Sequence, residues 1–179
     1  MNDPVLDSEK NPVGRIRQFL TDDHRRLDAL LTAAASCSSD NERAAYDEFR
    51  RSLLKHIGIE EKILLAAAQR LLGKPLAQAE RLRLDHGALA ALLMPLPAPS
   101  VIRAIKAILA AHNPVEEGPD GVYDICERLA KDEADDLLAS IRNAPQVPTR
   151  PNMTSPKILD AARRAMARAG YDPSLLDDN

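Results

Sequence analysis

Every one of the four histidines in this chain sits on an apolar helical face. His24 has Leu20 four residues before it, Leu27 three after and Leu31 seven after, and His86 has Leu82, Leu89 and Leu93 at the same offsets. His56 follows Leu53 and precedes Ile59 and Ile63, and His112 follows Ile105, Ile108 and Leu109. Side chains at these spacings share one face of an α-helix, so all four imidazoles turn toward a core. The second and fourth also carry a glutamate four residues on, Glu60 and Glu116. On a helix that residue lies about 40° around and one turn up, within reach of the same point. The chain therefore has to bring four helices together around a buried layer of imidazole and carboxylate. Glu61 and Glu117, one residue later, point elsewhere on a regular helix, but Pro114 leaves the choice between Glu116 and Glu117 open.

The flanking signals divide the chain to match. Asn11 and Pro12 read as an N-cap and a first helical residue, opening a helix that runs to about Ser36. Ser39 and Glu42 form a capping-box pattern at the head of a long helix, Asp40 to Leu72, which Gly73 and Pro75 stop. A third helix is predicted from about Leu76 to Met94, ended by the proline-rich stretch 95–99. Ser100 reads as the cap of a fourth, beginning at Val101. Pro114 and the segment 117–121 predict a kink or break just after His112 before the helical pattern resumes from Val122 to about Ile141. Short connections make antiparallel neighbours, so residues 12–142 read as an up-down-up-down four-helix bundle. Residues 143–179 read as an extended linker and one short helix, framed by Ser155, Pro156 and Gly170.

Composition fits this reading and excludes several others. Hydrophobic residues make up 45% of the chain while aromatics are 3% and Trp is absent, so the core is built from Leu, Ala and Ile, as helices prefer. The formal charge of -3, with basic and acidic residues interspersed, provides no basic stripe for a nucleic acid. Cys37 and Cys126 lie far apart with no C-x-x-C spacing, which points to free thiols. The first residues carry acids and no apolar run, and no stretch approaches the roughly 18 apolar residues of a membrane span, so a soluble cytoplasmic protein is expected.

Buried imidazoles and carboxylates each need a partner, because an unpaired buried ion costs several kcal/mol. The neighbouring Leu and Ala positions offer no donors, whereas a pair of metal ions satisfies all six groups. A weak internal duplication supports two ions over one. Asp23 to Leu31 and Asp85 to Leu93 share the pattern Asp-His-x-x-Leu-x-Ala-Leu-Leu, as two related helical hairpins would.

The set Asp23-His24-x-x-Leu27, His56-x-x-x-Glu60-Glu61, Asp85-His86-x-x-Leu89 and His112-x-x-x-Glu116-Glu117 resembles the hemerythrin-like, or HHE cation-binding, domain over about residues 12 to 142. The resemblance implies an all-helical bundle around two non-haem iron ions, with His24, His56, His86 and His112 as terminal ligands and Glu60 and Glu116 as bridges. Two departures bear on function. Oxygen-carrying hemerythrins have a further histidine where this chain has Ala90. They also place an Asp five residues after the last histidine, where Glu117 stands here. The smaller set argues against simple oxygen carriage. About twelve positions on two six-coordinate irons are filled to about eight, leaving several for water, oxygen, peroxide or nitric oxide. Ferritin-like di-iron bundles use Glu-x-x-His, and no histidine here has that spacing.

Three functions are compatible with these residues. They are a di-iron protein that binds or senses oxygen, nitric oxide or iron; an enzyme reducing peroxide or a related oxidant; and a metal-stapled interaction module whose tail docks a protein partner. The first is favoured, because no acid-base apparatus stands beyond the site. Asp28, four residues after His24, is a candidate hydrogen-bond partner or spare ligand, and equally a solvated or capping residue. Asp23 and Asp85 sit about 100° from their histidines and read as structural residues. Tyr123, after the break in the fourth helix, is placed to approach the site, though an ordinary half-buried tyrosine is the favoured reading.

Overall fold

The computed structural model describes residues 14–34 and 38–177, and among them no strand forms. Eight α-helices follow one another: α1 (Arg15–Ala33), α2 (Asp40–Ile59), α3 (Leu65–Leu72), α4 (Ala79–Leu92), α5 (Pro99–Glu117), α6 (Val122–Ala130), α7 (Ala134–Arg142) and α8 (Pro156–Arg168). The protein is all-helical, and no described helix is long and apolar enough to cross a membrane. The expected cap at Asn11 and Pro12 lies outside the described residues, as does Cys37.

α2 and α3 follow the predicted Asp40–Leu72 path, but not as one uniform helix. A π-helical stretch, Glu60–Leu64, joins them. Its wider turn lets the consecutive residues Leu64 and Leu65 both face the core. The capping box forms as expected, with the Glu42 amide donating to Ser39 Oγ and the Ser39 amide donating to Glu42 Oε2 at 2.9 Å. Gly73 adopts a left-handed conformation, φ 75°, and closes α3.

Two boundaries of the fourth predicted helix differ from expectation. α5 begins at Pro99 with Ala98 as its cap, and Ser100 is buried inside it, because proline suits the first helical turn, where its missing N–H bonds nothing. The break expected just after His112 falls instead after Glu117. Pro114 and Ala110 both lie on the exposed side, where water can satisfy the freed Ala110 carbonyl, so the helix passes through the proline. The chain then turns at Gly118, whose amide donates to the Pro114 carbonyl at 3.0 Å. A Cβ on Gly121 would meet the Glu116 carbonyl oxygen at 2.5 Å, so this close approach needs glycine.

The core is divided into two apolar clusters. One gathers Leu27, Leu31, Phe49, Leu53, Leu89, Ile105 and Ile108 with the α8 residues Ala162 and Met166. The other gathers Ile16, Leu20, Leu64, Leu82, Val122, Tyr123 and Cys126. Along α1 the order is Leu20, His24, Leu27, and along α4 it is Leu82, His86, Leu89, so the histidines form a polar layer between the clusters.

The C-terminal segment packs back on the same chain. Arg50, itself buried, donates to the Arg150 carbonyl at 2.9 Å, to Asn152 Oδ1 at 3.1 Å and to the Leu93 carbonyl at 3.0 Å, tying the extended linker to α2 and α4. Met153 donates its amide to the Met94 carbonyl at 2.9 Å. α8 then buries Ala162, Ala165 and Met166 in the core, and Gly170, at φ 82°, ends the segment with the Tyr171 amide bonded to the Met166 carbonyl.

Candidate metal centre

All six residues expected from the sequence meet in the polar layer, and each is at most 5% exposed. They form two groups, His24, His56, Glu60, Glu116 and Glu60, His86, His112, Glu116, each with ligand atoms within 4.8 Å of one another. Atoms on opposite sides of an ion with bonds of about 2.1 Å stand about 4 Å apart, so either group has the dimensions to hold a metal ion. The paired imidazoles stand close, with ring centroids 4.5 Å apart for His24 and His56 and 4.8 Å for His86 and His112.

The two glutamates belong to both groups. Glu60 divides its oxygens, Oε1 lying 3.1 Å from His56 Nε2 and Oε2 3.2 Å from His86 Nε2. Glu116 places Oε2 3.2 Å from His112 Nε2 and 3.5 Å from His24 Nε2, with Oε1 directed toward His86. Because α5 continues past Pro114, the i,i+4 relation of His112 to Glu116 survives, and Glu116 rather than Glu117 faces inward.

Each imidazole is held from behind by a carboxylate at Nδ1. Asp23 accepts from His56 at 2.9 Å, Glu61 from His86 at 2.8 Å, Asp85 from His112 at 3.4 Å, and Glu117 from His24. A carboxylate acceptor places the imidazole proton on Nδ1 and turns the Nε2 lone pair of the neutral ring inward, the tautomer a metal requires. This overturns the sequence reading of Asp23 and Asp85 as structural residues and gives Glu61 and Glu117 a defined role. The partner of His24 is Glu117, not Asp28, which stays exposed at the mouth of a cavity of about 430 Å³. Arginines hold three of the outer carboxylates in turn, Arg26 on Asp23 at 2.9 Å, Arg81 on Asp85 at 3.2 Å and Arg83 on Glu61 at 3.2 Å.

The residue that the sequence reading ranked too low is Tyr123. It is fully buried rather than half-buried, and its hydroxyl donates to Glu60 Oε1 at 2.5 Å. Seven residues separate it from Glu116, ordinarily two turns on the same face, but the break after Glu117 hides that relation.

The electrostatics of these side chains favour cations. Burial disfavours the His56 cation, but Glu60, Asp23 and Glu116 outweigh it and raise the imidazole to about 10. His86 and His112 are likewise raised against burial, to about 9 beside Glu60 and Glu61 and to about 10 beside Asp85 and Glu116. Burial opposes ionisation of Glu60, yet His56 and His86 hold its carboxyl well below the usual range. Burial and the same two glutamates push the Tyr123 phenol well above its ordinary value and the Cys126 thiol up to about 12.

Side-chain geometry leaves three atoms of the layer poorly placed for hydrogen bonding. Glu60 Oε2, His86 Nε2 and Glu116 Oε1 are buried without a hydrogen-bond partner, although the first two stand only 3.2 Å apart. Donor atoms that converge without bonding one another are arranged as ligands around a common point, and the residues present fit a pair of metal ions. No protein-family model, curated protein or solved structure matches this chain.

Proposed function

We propose that this protein is a hemerythrin-like four-helix bundle, formed by α1, α2 with α3, α4 and α5, that holds two non-haem iron ions and binds or senses a small ligand such as oxygen or nitric oxide, or iron itself. His24 and His56 would hold one ion and His86 and His112 the other, with Glu60 and Glu116 available to both. The observation that carries this reading is the sharing of both glutamates between two four-donor groups, with three inward donor atoms unbonded. Iron suits imidazole and carboxylate together, and when bound it supplies open coordination positions and one-electron redox chemistry.

The chain's own residues set the conditions for that chemistry. Four outer carboxylates fix the imidazole tautomers, and two apolar clusters on either side limit water. A route for a small molecule exists on one side: the cavity between α1 and α5 is walled by Leu27, Leu31 and Leu109 and reaches His24. Asp28, Lys106 and Asn113 complete the lining, so the cavity combines apolar walls with polar and charged groups.

The test is metal analysis with optical spectra of protein purified without chelator. About two irons per chain, with a visible spectrum that changes on adding oxygen or nitric oxide, is the expected result. Rapid peroxide turnover lost in Glu60→Ala would favour a peroxide-reducing enzyme, and a spectrum indifferent to every small ligand would favour a metal-stapled interaction module. A chain carrying one zinc, or no metal, would sink the di-iron reading.

A further inference from the structure

The Tyr123 hydroxyl oxygen lies within the first donor group rather than beside it. It stands 2.5 Å from Glu60 Oε1, 3.1 Å from Glu116 Oε2, 3.2 Å from His24 Nε2 and 3.4 Å from His56 Nε2. The group's own members are separated by the same distances, 3.1 Å from His56 to Glu60 and 3.5 Å from His24 to Glu116. Both imidazoles have their Nδ1 atoms committed to Glu117 and Asp23, so each ring presents its Nε2 edge to the group. Four atoms of ligand type, two imidazole nitrogens and two carboxylate oxygens, therefore surround one phenol oxygen. A cation in their midst satisfies all four and the phenol oxygen as well.

The second group has no such residue. Seven positions after Glu116 the chain supplies Tyr123 from α6, whereas seven positions after Glu60 it supplies Ala67 from α3. The tyrosine is thus confined to one half of an otherwise repeated arrangement.

We infer that Tyr123 is a further protein ligand of the ion held by His24 and His56, which makes the two metal positions chemically unequal. This rests on the metal-centre reading above. On binding, the metal–oxygen bond forms as the phenol O–H bond breaks. The proton leaves to solvent, and no change of oxidation state is required. The His24 position then has Tyr123 in addition to its two histidines and two shared glutamates, while the His86 position keeps only histidines and glutamates.

Iron(III)-loaded full-length protein, examined by visible absorption and resonance Raman spectroscopy with ring-deuterated tyrosine, tests this. The expected result is a tyrosinate-to-iron(III) charge-transfer band whose ring modes shift on deuteration. It disappears in Tyr123→Phe at unchanged iron content and persists in Tyr171→Phe. Should Tyr123→Phe fail to fold, the label in the wild-type protein, with persistence of the modes in Tyr46→Phe and Tyr171→Phe, still assigns the ligand to Tyr123. Iron bound at both positions without tyrosinate modes overturns the inference and leaves the metal centre standing. No bound iron at all overturns the centre itself.

Discussion

In the half of the centre built from His24, His56 and Glu60, the chain widens into a π-helical stretch at Glu60–Leu64; in the half built from His86, His112 and Glu116, α5 stays α-helical through Pro114 and stops at Glu117. Both halves face one geometric problem. Consecutive glutamates lie about 100° apart on an α-helix, yet one has to face the centre and the other has to reach an imidazole on a different helix. The first half meets this by enlarging the turn that begins at Glu60, the second by ending the helix at Glu117, where Gly118 carries the chain away. The choice has a consequence beyond the glutamates. The π-helical stretch continues smoothly into α3, whereas the break after Glu117 reorients the chain so that α6 delivers Tyr123 to the other half's ligands. The halves also interlock, since Glu61 holds His86 and Glu117 holds His24.

The sharpest way to break the comparison is to remove what the halves share. Glu60→Gln takes one bridging carboxylate from both groups, and the iron content of the purified protein is expected to fall from about two per chain to well below one while the helical circular dichroism persists. Removing what belongs to one half separates them. His86→Ala and His24→Ala are each expected to leave about one iron per chain, and equal loss of both ions in either variant would show that the positions fill only together.

The interlock is tested one shell further out. Glu61→Gln lies in the first half but releases His86 of the second, so its iron affinity, read by competition with a chelator, is expected to drop about 10–100-fold at the His86 position first. Asp85→Asn acts on His112 within its own half and is expected to weaken the same position. If Glu61→Gln weakened only the His56 position, the crossed arrangement would be wrong.

The smallest expected effect concerns the metal-free protein. His56, His86 and His112 are raised in the folded state to about 10, 9 and 10 from an ordinary 6.5, so the folded protein binds their protons more tightly than the unfolded chain. Their stabilising contribution is complete below pH 6.5 and is lost as pH rises through those values. The melting temperature of the metal-free protein should fall across that window, and the slope should shrink more when His86 and His112 are replaced than when His56 is. Iron-loaded protein should lack the slope, because its imidazoles are already neutral.

Much of the centre was legible in the sequence because helical phase is a local property. Leu20, Leu27 and Leu31 fix the direction of His24 whatever the rest of the chain does, and an i,i+4 spacing joins Glu60 to His56 without reference to any other helix. What could not be read were relations between helices. Asp23 and Asp85 stand about 100° from their own histidines and so read as bystanders, but each faces the imidazole of the next helix along. Pro114 predicted a kink beside His112, and only the exposure of Ala110 and Pro114 explains why the helix tolerates it.

The sequence by itself determined the all-helical class, the inward direction of the four histidines and the pairing of Glu60 with His56, since a periodicity of 3.6 residues is written along the chain. The tertiary structure decided which carboxylate steadies which imidazole, that Glu116 and not Glu117 turns inward, and that the Tyr123 hydroxyl lies beside His24 and His56. These depend on the angle and register at which helices meet, and on where backbone hydrogen bonding shifts or stops. Packing sets those quantities across the whole core, and no local spacing encodes them.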